Sequence, residues 1–253
     1  MARNASPALR ALLDRLIDYA GSFPPAALPC SDAVANYVRY RSGERSWMLR
    51  WLVVGAADLG HVPRELDRSL AVLGEADEPR AAVLEAKHVV RAGRPVYCEV
   101  PIGQLDEVQR ARCFAKLRTG GVKPEAIPAV GDVAAFILAC ADRRLPFKAT
   151  AGLHHPVRAE YPLTYEADAP RAVMHGFLNV FLAAAFAWHG DRNIEPVLAE
   201  TDPAAFRFDE RARWRERSLA ADKVRDARQR FAHSFGSCSF DEPVGDLEAL
   251  GLL

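Results

Sequence analysis

The stretch PFKATAGLHHP, residues 146–156, decides how the chain is read. Lys148, Thr150 and Gly152 alternate with Phe147, Ala149 and Ala151. Successive side chains of an extended strand point to opposite faces, so one face here is apolar and the other carries a lysine and a hydroxyl. A strand buried between two helical layers would be apolar on both faces. A lysine on one face suits a sheet closed on itself, with helices outside and polar groups inside near an open end.

Two more strands repeat the pattern. In VYCEVPI (96–102), Glu99 shares a face with Tyr97. In FAKLRTGG (114–121), Lys116 and Arg118 share a face, opposite Ala115 and Leu117. Around them, strand and helix signals alternate. Strand signals are LIDYAGSF (16–23), SWMLRWLVVGA (46–56), RAAVLEA (80–86, also readable as helix) and AHSFGSCSF (232–240). Helix signals are LRALLDRL (9–16), SDAVANYVRYRSG (31–43), VPRELDRSLAVLG (62–74), QLDEVQRARC (104–113) and VGDVAAFILACADRRL (130–145). Further helices are expected at RAVMHGFLNVFLAAAFAWHG (171–190), AADKVRDARQRF (220–231) and DEPVGDLEALGLL (241–253). Such alternation predicts βα units and a parallel sheet. About eight strands in a chain of this length predict a single α/β domain over residues 1–253, an irregular (β/α)₈ TIM-barrel-like fold. AFRFDERARWRERSL (205–219) reads as a hairpin insertion near residues 203–219. An open doubly wound sheet is disfavoured because no G-x-G-x-x-G follows the first strand.

Composition narrows the function classes. Thirty-three basic and 33 acidic residues give zero net charge, so nothing draws the whole chain to nucleic acid or to an anionic membrane. Arginines 207, 211, 213, 215 and 217 are interleaved with Asp209, Glu210 and Glu216, which reads as a solvated face. Five cysteines without a C-x-x-C spacing argue against a disulfide framework or a cysteine-rich zinc site. Cys98, Cys113 and Cys140 read as buried thiols, and so does Cys238, since no base is fixed beside it by sequence. GFLNVFLAAAFAW (176–188) is too short to span a bilayer and reads as a buried helix. The N-terminal segment lacks the apolar core of a signal peptide, so a cytoplasmic protein is expected.

In a barrel, Lys116, Arg118 and Lys148 would point inward at strand ends. A buried ammonium is costly unless paired or facing an anion, and Glu99 is the expected partner. The same charges could pair only to close the barrel. Alternatively, Lys116 and Arg118 lower the pKa of Lys148 and leave a free amine able to attack a carbonyl. Here Lys148, Thr150 and Gly152 resemble the segment of class I aldolases of the deoxyribose-phosphate type. In that family a Schiff-base lysine opens a strand segment with hydroxyl residues and a glycine four positions on. The resemblance implies a Schiff-base role for Lys148, counted here on the sixth strand. Ala149 stands where the family has a hydroxyl residue. Lys116 lies on an earlier strand, whereas the family's second lysine is on a later one. AKLRTGG, FKATAGLHHP, HGFLN and SFGSCSFDEP look like motifs of a family of uncharacterised bacterial proteins. That resemblance covers most of the chain after Val96 and implies no activity.

Turns supply anion contacts. RTGG (118–121) offers Arg118, Thr119, Gly120 and Gly121, and HSFGSCSFDEP (233–243) offers Ser234, Gly236 and Ser237 beside a helix start. Ser239 or Asp241 capping the last helix explains the same turn. His154 and His155 point to opposite sides of the chain, so one of them faces the barrel mouth. A divalent metal held by His154, His155, His175, His233 and Glu99 is the rival reading, without an H-x-H or H-E-x-x-H spacing behind it. The sequence therefore predicts a lyase or aldolase-like enzyme acting on a small anionic carbonyl compound without a cofactor. Catalytic residues would be Lys148, Glu99, Lys116 and His154, and Thr150 would join the anion contacts. A non-catalytic ligand-binding barrel is the third reading, and a homo-oligomer is compatible with all three.

Overall fold

A computed structural model describes residues 5–253. Eight parallel strands close a barrel: β1 (Ile17–Tyr19), β2 (Leu49–Gly55), β3 (Leu70–Leu73), β4 (Ala81–Ala86), β5 (Val96–Cys98), β6 (Phe114–Arg118), β7 (Phe147–Thr150) and, after the insertions below, β13 (Ala232–Ser237). β13 pairs with β1 and β7 to complete the ring. The TIM-barrel-like architecture expected from the alternation is the one observed.

Alternation of side chains sets inside against outside. Phe147 and Ala149 of β7, Ala115 and Leu117 of β6 and Leu84 of β4 join the main apolar core beneath the helices. Val53, Ala71, Val83 and Tyr97 form a separate apolar cluster, packed against Trp51 and Phe114. Helices α1 (Pro7–Leu13), α2 (Cys30–Arg41), α3 (Leu105–Arg110), α4 (Val130–Asp142), α5 (Phe177–Trp188), α6 (Glu195–Ala199), α7 (Ala221–Arg230) and α8 (Asp241–Ala249) cover the outside. Every residue of α5 is buried. Among the described residues, one stretch, Pro124–Asp142, is long and apolar enough to cross a bilayer. Its helical part, α4, buries Val133, Phe136 and Ile137 against the barrel.

The barrel is irregular between β2 and β5, where short 3₁₀ turns and loops replace α-helices. The loop carbonyls there need donors, and buried Arg80 supplies them: Nη1 donates to Leu59 O (2.7 Å), Nη2 to Val62 O (2.7 Å) and Nε to Asp67 Oδ1 (2.6 Å).

Three expectations change. VPRELDRSLAVLG is not a helix, because Leu70–Leu73 forms β3 between β2 and β4. A four-residue apolar run has no period long enough to separate the two states. Lys148 is consequently on the seventh barrel strand, not the sixth. Residues 171–174 are not helical either: β8 (Ala159–Pro162) and β9 (Arg171–Met174) form an antiparallel hairpin before α5 begins at Phe177. The expected hairpin near 203–219 is a three-stranded antiparallel sheet of β10 (Phe206–Phe208), β11 (Arg211–Trp214) and β12 (Arg217–Ala220).

Candidate active site

Lys116 and Lys148 are register partners on β6 and β7, so their side chains enter the lumen together. Both meet a carboxylate from a strand where the sequence showed no polar alternation, and Lys116 also meets the expected Glu99. Lys148 Nζ lies 2.6 Å from Asp18 Oδ2 (β1) and 2.5 Å from Glu85 Oε1 (β4). Lys116 Nζ lies 2.8 Å from Glu85 Oε2 and 3.4 Å from Glu99 Oε2. Arg118 Nε donates to Glu99 Oε1 at 2.7 Å. The result is a chain of alternating charge: Asp18, Lys148, Glu85, Lys116, Glu99, Arg118. Asp18, Glu85, Lys116 and Lys148 are all buried. The Tyr97 ring centroid lies 5.7 Å from the Lys148 nitrogen. Asp18 Oδ1 is buried and accepts no hydrogen bond from a described protein group.

This arrangement corrects two expectations. Glu99 pairs with Lys116 and Arg118, but the partners of Lys148 are Asp18 and Glu85, which sequence reasoning missed. The Lys148 pKa is not lowered. Burial disfavours its charge, yet Asp18 and Glu85 outweigh burial and hold the ammonium above the ordinary lysine value. Glu85 moves the other way: burial opposes its charge, but Lys148 and Lys116 hold it down at about 2.

Above the charges, at the strands' C-terminal ends, opens a cavity of about 390 Å³. Lys148, Lys116 and Glu85 reach its floor, Arg118, Thr150 and Gly236 its wall, and Met174 and Leu163 of the β8–β9 region its roof. Gly121 lines it too, but Thr119 does not: its hydroxyl donates to Ala151 O at 2.5 Å and ties β6 to the end of β7. Gly152 lines the cavity too. Its φ is +76°, and a Cβ there would lie 2.8 Å from Gly120 Cα, so the pair of glycines lets two strand ends touch. Ser234 sits below Lys148, donating to Asp18 Oδ2 at 2.7 Å and accepting from Arg50 Nη1 at 3.1 Å. The Ser237 hydroxyl accepts from the Ser239 amide at 3.3 Å. Neither serine lines the cavity at the mouth. Ser239 Oγ accepts from the Glu242 amide at 3.1 Å, which is the cap-like role expected for this turn.

The two adjacent histidines do not separate to opposite sides: both face Glu242, with His154 Nδ1 at 2.9 Å and His155 Nε2 at 3.9 Å, although only His154 reaches the large cavity. His154 lines the cavity, and His155 stacks on Tyr161 with centroids 3.5 Å apart. His154 Nδ1 lies 2.9 Å from Glu242 Oε2 and 4.0 Å from Cys238 Sγ, and the Tyr165 hydroxyl lies 3.4 Å from the same sulfur. Cys238 therefore has a base beside it, contrary to the reading of a plain buried thiol. Burial favours its neutral form, but His154 and Tyr165 pull its pKa below the ordinary thiol value. His154 rises to about 9, because Cys238 and Glu242 override burial. His175 donates from Nε2 to Pro128 O (2.8 Å), and His233 bonds the Tyr97 hydroxyl (2.7 Å) at the opposite end of the barrel. The metal set of His154, His155, His175, His233 and Glu99 is thus not assembled. Among the described residues no group of three or more His, Cys, Asp or Glu could hold a metal ion.

No protein-family model matches the chain, and searches of curated proteins and of solved structures each find no match.

Proposed function

We propose that the protein is a lyase or aldolase-like enzyme acting on a small anionic carbonyl compound, with Lys148 as the amine that bonds the carbonyl carbon. The observation behind this reading is a lysine buried at the floor of a cavity and clamped between two carboxylates. A raised pKa means that the resting amine is protonated, so the carboxylates must act as proton acceptors. Asp18 or Glu85 takes a proton from Lys148, and the nitrogen lone pair adds to the carbonyl carbon. The carbonyl oxygen leaves as water, taking one proton from nitrogen and the other from the carboxylic acid, and an iminium remains. The positive iminium then replaces the ammonium between the same carboxylates, so charge balance is kept. Lys116 and Arg118 offer cations to the substrate's anionic groups, and Thr150 a hydroxyl. His154, seated on Glu242, offers a second proton donor at the wall.

A cytoplasmic location and a small-molecule partner, rather than nucleic acid or membrane, belong to the same reading; five free cysteines support the location. The test is to incubate the protein with a panel of anionic aldehydes and ketones under borohydride. The expected result is a reduced adduct at Lys148 that forms more slowly in Asp18→Asn and Glu85→Gln. Absence of any adduct across the panel would favour the second reading, in which Lys148 stays an ammonium and only holds an anion. The complete pairing of the charge chain is the observation on that side.

A further inference from the structure

At the N-terminal end of the barrel, away from the mouth, lies a second cavity of about 500 Å³. Five of its lining residues are arginines: Arg10 on α1, Arg15 after it, Arg50 on β2, and Arg225 and Arg228 on α7. Asp14 is the one carboxylate among the lining residues. Among the described residues none of these five arginines, and not Asp14, takes part in an ion pair. Five like charges gathered around a single carboxylate repel one another, and the repulsion is felt by a neighbour. His233, on the same wall, is driven down to about 3 by burial and then by Arg50 and Arg228.

Two of the arginines have structural work. Arg228 is buried and donates to backbone carbonyls of Leu12 (2.7 Å), Asp14 (3.2 Å), Ala232 and His233 (2.5 Å). Arg50 donates to Ser234 (3.1 Å). Arg10 and Arg15 instead lie over the rings of Trp47 (4.0 Å) and Trp51 (5.1 Å), and exposed Arg225 faces them from α7. Stacking fixes a guanidinium plane while leaving its N–H donors free, which lowers the ordering cost of binding. Forked donors of this kind match the oxygens of phosphate groups.

We propose that this cavity is a binding site for a small phosphorylated polyanion, with Arg10, Arg15 and Arg225 as the direct contacts and Arg50 at its inner wall. The ligand carries at least two anionic groups, because the cations come from three separate elements, α1, β2 and α7, and from the turn after α1. The site is independent of the chemistry assigned to Lys148, although Arg50, Ser234 and Asp18 link the two by consecutive hydrogen bonds.

The test is calorimetric titration of the full-length chain with inorganic pyrophosphate at low ionic strength. The expected result is one saturable site with Kd below about 1 mM. Arg10→Glu and Arg225→Glu should each weaken it roughly tenfold or more, with unchanged circular dichroism, while Arg118→Glu at the mouth leaves it intact. Three results would overturn the proposal: no saturable binding, loss of binding in Arg118→Glu but not in Arg225→Glu, or tighter binding of a single-stranded oligonucleotide than of pyrophosphate. The last would make the surface a nucleic-acid contact.

Discussion

The two ends of the barrel handle charge in opposite ways. At the C-terminal end Asp18, Glu85 and Glu99 alternate with Lys148, Lys116 and Arg118, and each side chain touches one of opposite sign. At the N-terminal end five arginines line a cavity, and among the described residues none of them forms an ion pair. Both ends are costly to build, but for different reasons. Buried charges at the mouth must be desolvated, and mutual attraction offsets that cost only if every partner is present. Arg10, Arg15 and Arg225 keep their hydration, and the cost at this end is repulsion, which an incoming anion relieves. The mouth is thus organised before any ligand arrives, whereas the other end is completed by one.

Removing one partner at the mouth should therefore do most harm. Glu85→Gln leaves both ammonium groups of Lys116 and Lys148 under-compensated, and a loss of about 3–5 kcal/mol in denaturant unfolding is expected. A wild-type-like midpoint would mean that the chain of charges adds little.

Acid should expose the same network. Glu85 keeps its charge to lower pH when folded than when unfolded. Its stabilisation is complete above 4.5 and fades as pH falls toward about 2. Lys148 has the opposite sign: its contribution is complete below 10.5 and is lost only as pH rises through its raised folded value. Thermal midpoints of wild type should drop across that acid window, and Glu85→Gln should flatten the drop.

Thiol reactivity probes the wall of the mouth. Cys30, Cys98, Cys113 and Cys140 are all shifted upward by burial, and Cys238 alone is shifted downward. Sub-stoichiometric iodoacetamide near neutral pH should label Cys238 first, and His154→Gln should slow that labelling several-fold. Peptide mapping that finds Cys30 labelled first would break the contrast.

The smallest effect is expected at the arginine end. Without ligand, Arg225→Glu should change stability by less than about 1 kcal/mol, in the stabilising direction, because it relieves repulsion on an exposed helix face. A clear destabilisation would mean that the arginines are structural.

Period-two alternation made the barrel legible, and with it the inward aim of Lys116, Lys148 and Thr150. It failed where strands were short or lacked polar contrast. β1 has three residues, and its one inward charge, Asp18, lies in LIDYAGSF, a strand signal directly after a helix signal and too short for alternation to assign its side. Glu85 lies in RAAVLEA, readable as strand or helix, so its side could not be assigned. Without those two acids, the lysine's neighbours looked cationic and its pKa shift took the wrong sign. The Cys238–His154–Glu242 contacts join residues 84 and 88 apart in sequence, and no spacing rule reports them. The arginine cavity is assembled from α1, β2 and α7, elements far apart in sequence, so no local spacing reports it.

The central claim is that Lys148, and no other lysine, is the reacting amine. Reductive trapping of an anionic aldehyde, followed by mass mapping of the lysines, tests it directly. The account predicts a single adduct at Lys148, abolished in Lys148→Met and not transferred to Lys116. An adduct at Lys116 or at surface lysines alone, or trapping that survives Lys148→Met, would contradict it.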